Sequence, residues 1–286
     1  MTRVSVVTND PITRDAAARV FAGAPAAWEV TLDDHVPTDV DVVVWGHDTY
    51  RGEGLVFDPT DPEHLFAEIA PRAPSQLIIW VAAAGGGQGA TTVATHLAMR
   101  ASHEDASVCL VDLVPGSNTR YRLGIPFSET KTWVDADEDL MIAALPTKHR
   151  FRALLAPTSG VCDAPSLIAR TSLVFDRVVV DAGSSLFPVV SACTRVLVMT
   201  PTIPAAHRAG SLLWRDENEW VIVLNRLGRG GEATRLQLEE ILERPIATEL
   251  PQCPALRDAE DDGRLLGHAF NRWTWRFESL VKELGL

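Results

Sequence analysis

Five strand-length apolar runs, each closing on polar or turn-forming residues, constrain this chain more than any other feature. They read LIIWVAAA from Leu77, SVCLVDL from Ser107, RVVVDAG from Arg177, RVLVMTP from Arg195 and WVIVLNR from Trp220. A strand that is apolar on both sides must be covered on both faces, as the strands of parallel sheets are. Helix-patterned or loop segments separate the runs, so the expected fold class is α/β, a doubly wound and mostly parallel sheet. All of the runs are far shorter than the ~20 apolar residues that span a bilayer. Membrane contact is therefore expected to be peripheral at most.

A smaller α/β pattern precedes them. RVSVVTND, ITRDAAARVFAG, WEVTL and DVDVVVWG read as strand, helix, strand, strand. A short helical run ends near Ile69, and the prolines of APRAPS then disfavour helix. The sequence is divided accordingly into a small domain over residues 1–70, a linker at 71–75 and a large domain over 76–286.

The 286 residues are 46% hydrophobic, enough for a sizeable core, and the formal charge is −12. A field of that sign repels phosphate backbones, and non-specific DNA binding is not expected. Cys109, Cys162, Cys193 and Cys253 form no C-x-x-C pair and the start carries no basic-then-apolar leader, which fits a reducing cytoplasm.

The first apolar run leads into AAAGGGQGATT, Ala82 to Thr92. Glycines between a strand and a helix let successive N–H groups converge on one concavity, and the helix adds the positive end of its dipole. Gly86, Gly87, Gln88, Gly89, Ala90, Thr91 and Thr92 are the candidate phosphate-binding residues. An aspartate closes each of two later runs, Asp112 and Asp181, and Asn225 with Arg226 closes another. Each also has a plain structural use, as a helix cap or strand-end turn former.

From about Gln76 onward these motifs resemble the MinD/ParA group of P-loop ATPases, whose deviant loop reads K-G-G-x-G-K-T-[ST]. On that pattern Gly85 stands for the signature lysine, Ala90 for the lysine that grips the β- and γ-phosphates, and Thr91 keeps the metal-ligand place. VCLVDLVPG resembles the second strand and switch, with Asp112 retained and Val114 in place of the water-orienting aspartate. FDRVVVDAGSS resembles the Walker B strand, with Asp181 as its carboxylate. VIVLNR resembles the strand whose Asn225 reads the adenine edge, and IATELPQCPALRDAEDDG the late adenine-side loop around Leu250 and Pro251.

The resemblance implies ATP and Mg2+ as cofactors, with the metal at Thr91, Asp112 and Asp181 and the nucleotide also touching Asn225, Arg226 and Pro251. A lost charge-assisted hydrogen bond weakens binding about tenfold to a hundredfold, which cellular ATP can offset. Phosphoryl transfer depends on charge placed on the transition state and on a positioned water, so a chain altered at Gly85, Ala90 and Val114 together is expected to be a pseudo-ATPase. Arg120 and Arg122, just beyond Asp112, are read as solvated arginines rather than substitute cations.

Residues 1–70 resemble a shortened response-regulator receiver domain. Asn9 and Asp10 partly match its acidic pair, Trp45 and Gly46 occupy the phospho-acceptor region, Asp48 is a poor acceptor candidate, and no lysine precedes Lys131. Docking is the expected use. This pairing of domains resembles the TadZ/CpaE proteins, which place the type IVb (Flp/Tad) pilus machine, and the septum-site MinD-like proteins of actinobacteria. Implied partners are proteins of a pilus, secretion or division machine, with a homodimer left open and recruitment to pole, septum or inner membrane through those partners.

The tail NRWTWRFESLVKELGL sets Trp273, Phe277, Leu280, Val281 and Leu284 on one helical face. Its polar face mixes Glu278 and Glu283 with Arg276 and Lys282, without the cationic excess that anionic lipid rewards. Core packing is expected of it.

Overall fold

A computed structural model describes residues 2–22, 24, 28–50, 55–60, 62–69, 77–102, 106–137, 139–184, 193–214, 218–228, 232–265 and 272–286. They form two compact units, one built from those up to Leu77 together with Asp163–Asp176, the other from Ile78–Cys162 and the residues from Arg177 onward. The linker read at 71–75 lies outside the described residues.

In chain order the strands are β1 (Thr2–Val7), β2 (Trp28–Asp33), β3 (Val42–Trp45), β4 (Leu55–Val56), β5 (Leu77–Ala83), β6 (Val108–Asp112), β7 (Leu145–Pro146), β8 (Arg152–Leu154), β9 (Arg177–Asp181), β10 (Thr194–Met199), β11 (Trp220–Leu227) and β12 (Thr248–Pro251). The helices are α1 (Pro11–Phe21), α2 (Pro62–Ile69), α3 (Ala90–Ala101), α4 (Thr119–Arg122), α5 (Leu140–Ala143), α6 (Ala164–Val174), α7 (Ile203–Leu213), α8 (Arg235–Leu242), α9 (Pro254–Asp261) and α10 (Arg272–Glu283). A 3-10 helix spans Trp133–Asp137.

The first unit is a parallel sheet in the order β2-β1-β3-β4. Helix α1 starts where it does because Asp10 accepts from the N–H groups of Ile12 and Thr13 and Pro11 opens the first turn. Val4, Val6, Val42 and Val44 pack against Ala17, Phe21, Leu65 and Ile69 as its core. Helix α6 joins this unit beside α2, with Leu173 against the same core.

The second unit holds eight strands in the order β12-β11-β10-β5-β9-β6-β8-β7. The five apolar runs are β5, β6, β9, β10 and β11, paired in parallel, and the β7–β8 pair is antiparallel. From β5 the chain moves to β6 on one side of the sheet, and later places β10 and β11 on the other. The carboxyl end of β5 is therefore a topological switch point, where sheets of this kind bind ligands.

Helix α3 leaves that point into the body of the unit, with Ala90 and every residue from Thr92 to Ala101 buried. The closing helix α10 packs on β12 and against α3. Trp273, Phe277 and Leu280 are fully buried, Val281 and Leu284 nearly so, and Arg100 of α3 pairs with Glu278 at 2.9 Å. The apolar face of the tail is thus core. Among the described residues no helix is long and apolar enough to cross a membrane.

Candidate nucleotide site

Beyond β5 the backbone turns through Gly87 (φ 76°) and Gly89 (φ 105°), both in the left-handed region that glycine enters without strain. A β-carbon on Gly89 would also overlap Asn225 Nδ2. Between Ala84 and Val93 the backbone N–H groups make no backbone hydrogen bond of normal geometry among the described residues. Nothing lies within 4 Å of a β-carbon placed on Gly86 or Gly87. Donors facing open space at the start of a helix are the arrangement that binds anions. The Gln88 side chain, only 7% exposed, carries an Oε1 without a partner.

Asp112 and Asp181 end adjacent strands and stand opposite each other in register. Burial raises both carboxyls. Asp112 is held by the turn that follows it, accepting from Val114 N–H at 3.0 Å and from the Ser117 hydroxyl. For Asp181, burial and the Asp112 charge push the pKa up to about 7 against the opposing pull of the Thr91 hydroxyl and Gly183 N–H. Its Oδ1 accepts from Gly183 N–H at 3.1 Å, and its Oδ2 is a buried oxygen with no donor. The three residues read as metal ligands, Thr91, Asp112 and Asp181, are therefore brought together. A bare buried carboxylate oxygen beside a second carboxylate is a group that a hard divalent cation satisfies.

The positions flanking this cluster offer little chemistry. Val114 lies against the turn after β9, where a β-carbon on Gly183 would meet its Cγ2 at 2.6 Å. Ala90, the first residue of α3, is 5% exposed and apolar. Over Gly85 stands a residue that sequence reasoning did not single out. The guanidinium of Arg208, on α7, would be 2.6 Å from a β-carbon placed there. The signal that could have found it is topological, because β10 pairs directly with β5 and the helix after it opens at the same edge.

On the far side, Asn225, Arg226 and Pro251 line a cavity of about 670 Å³ with Thr92, Cys253, Arg257, Glu260 and Trp273. The left-handed Arg226 (φ 68°) is the extra residue of a bulge between Asn225 and Leu227, a device that re-aims side chains beside sites. Asn225 spends one donor on the loop itself, its Nδ2 reaching Gln88 O at 2.8 Å.

The two arginines beyond Asp112 are not the solvated pair expected. Arg120 donates to the carbonyls of Pro126, Glu129 and Lys131. Arg122 pairs with Glu260 of α9, and both bond the Thr92 hydroxyl at 2.8 Å. Helix α4, following β6, turns Arg120 onto carbonyls that follow it and sets Arg122 against α9, a contact that sequence spacing does not show.

The chain is similar to a ParA family ATPase from Chlorobium tepidum TLS, at 20% identity over 74% of this chain and 98% of that one, with a TM-score of 0.64. It is also similar to the cell division ATPase MinD of Pyrococcus furiosus, at 22% identity over 73% and 98% of the two chains, with a TM-score of 0.61. The fold is that of the MinD and ParA ATPases. The septum site-determining protein MinD of Pyrococcus horikoshii OT3, complexed with Mg-ADP, gives 20% identity over 73% and 95% of the two chains and a TM-score of 0.60. No family model matches the sequence, and no curated protein is significantly similar to it.

Proposed function

We propose that this chain is a localisation or assembly factor of a Flp/Tad-type pilus or secretion machine, built on a MinD/ParA-like domain that binds ATP and does not turn it over. One contrast supports binding without turnover. The unsatisfied Asp181 Oδ2 beside Asp112 is suited to a metal, while the neighbouring place on Asp112's own turn is taken by an apolar Val114 packed toward Gly183. Thr91, Asp112 and Asp181 would hold Mg2+, which when bound neutralises phosphate charge. The loop N–H groups from Gly86 to Thr92 orient the phosphates, and the cavity lined by Asn225, Arg226 and Pro251 takes the base. Val114 accepts no proton and positions no water, and Ala90 supplies no cation to the transition state.

The small first unit serves docking in this reading. Its strand order β2-β1-β3-β4 is that of a flavodoxin-like sheet. The Asp48 carboxylate is occupied by the Thr8 hydroxyl at 2.7 Å and Asn9 N–H at 2.8 Å, an arrangement suited to structure rather than phosphorylation.

The likeness to MinD and ParA structures favours a second reading, a septum-site or partition switch with weak ATPase activity. A fluorescently tagged full chain in cells with and without Flp/Tad pilus genes separates the two. A focus that requires those genes supports the first reading, and a septal or nucleoid pattern indifferent to them supports the second.

A further inference from the structure

We propose that Arg208 is the phosphate-binding cation of this site, reaching from α7 over Gly85 to hold the terminal phosphates of a nucleoside di- or triphosphate. This deepens the nucleotide reading above and rests on it. A loop without a lysine at 85 or 90 still faces a ligand with several negative charges, in a molecule whose own formal charge is −12. A nearby cation therefore matters more here than in a basic protein.

The fold brings one. Val198 of β10 pairs with Ala83 of β5, and Ala84 N–H donates to Val198 O at 3.2 Å, so the chain beyond β10 emerges beside the glycine loop. Thr202 caps α7 through Ala205 N–H and fixes its start. Arg208 falls in its second turn, with Nη1 2.6 Å and Cζ 3.6 Å from the point where a Gly85 β-carbon would stand. The guanidinium thus occupies the space that any side chain at 85 would need, and a glycine there is what admits it.

Two further observations point to a ligand. Arg208 is exposed and, among the described residues, makes no hydrogen bond or ion pair, whereas Arg120 and Arg122 are both committed. The Gln88 amide Nε2 lies 3.3 Å from the same Gly85 point, and the other amide atom, Oε1, is buried without a partner. A planar guanidinium matches phosphate oxygens in bidentate fashion, which a lysine does not. The cation has moved off the loop to the neighbouring helix, and it acts within one chain.

The test is titration of the full chain with ATP and Mg2+, comparing the unaltered protein with R208Q and R208K, alongside the melting midpoint of each without nucleotide. R208Q should bind ATP about tenfold to a hundredfold more weakly, the effect of one charge-assisted bond, with R208K between the two. The nucleotide-free midpoint should not move, because Arg208 is exposed and unbonded. ATP binding by R208Q as tight as by the unaltered chain overturns the assignment and leaves the nucleotide reading standing. A loss of binding matched by a fall in the nucleotide-free midpoint overturns it in favour of a structural role. Absence of ATP binding by the unaltered chain overturns the nucleotide reading, and the assignment with it.

Discussion

The two ends of the candidate site are built on different chemistry. At one end Thr91, Asp112 and Asp181 converge, buried, with two carboxylates in register and one oxygen bare. At the other, Gly85, Ala90 and Val114 offer no proton acceptor and no charge of their own, and the cation over Gly85, Arg208, belongs to another helix. Burying a carboxylate without compensation costs several kcal/mol, so the first end is an expensive thing to keep unless something binds there. Holding a nucleotide and hydrolysing it place separate demands on a site, and the function proposed above assigns this one only the first.

The largest expected effect tests the metal end. A carboxyl raised to about 7 in the folded chain, from an ordinary 3.8, keeps its proton where the unfolded chain has released it. Stability is then lost as pH rises through that window, between about 4 and about 7. Asp181→Asn should abolish this loss, so without metal the variant should exceed the unaltered chain by a few kcal/mol at about pH 8 and by little at about pH 4. Mg2+ should raise the urea midpoint of the unaltered chain and leave that of the variant in place. A variant less stable at the higher pH would mean that Asp181 is already satisfied.

A smaller effect tests the other end. Ala90→Lys adds a charge at the start of α3 and should tighten ATP binding about tenfold to a hundredfold, with little turnover because Gly85 and Val114 remain. Full activity from this one change, measured as phosphate release, would show that the two ends were not so different.

The smallest effect is a control on the burial argument. His96, enclosed by Trp273 and Phe277, is pushed down to about 4 by burial. Its sign is opposite to that of Asp181. The unfolded chain takes a proton near 6.5 that the folded chain refuses, so stability falls on acidification from about 6.5 to about 4, by at most about 1.4 kcal/mol per pH unit. In the Asp181→Asn background, where the opposing slope of Asp181 is gone, adding His96→Gln should remove the part of the acid-side loss that His96 supplies, read in urea titrations at several pH values. An unchanged slope would remove burial as the cause.

Much of the frame was legible in the sequence. Both-sided apolarity identifies buried parallel strands, and all five runs are strands of one sheet. An aspartate at the end of each of two such strands is visible as a pair once the strands are neighbours, as β6 and β9 are. The spacing of Trp273, Phe277 and Leu280 likewise gave a core-facing helix. What escaped depends on contacts between distant segments. Nothing local marks Arg208 as lying over Gly85, or Arg122 as pairing with Glu260, and periodicity carries no record of which strand lies next to which. Asn225 shows the same limit from the other side, since its place at a strand end was plain and its bond to Gln88 O was not.

Binding without turnover is measured as phosphate release from ATP with Mg2+, beside the Asp181→Asn variant, on protein shown to bind ATP. The two rates should coincide at background. A magnesium-dependent rate of about 1 per second or faster in the unaltered chain, absent from the variant, would contradict it.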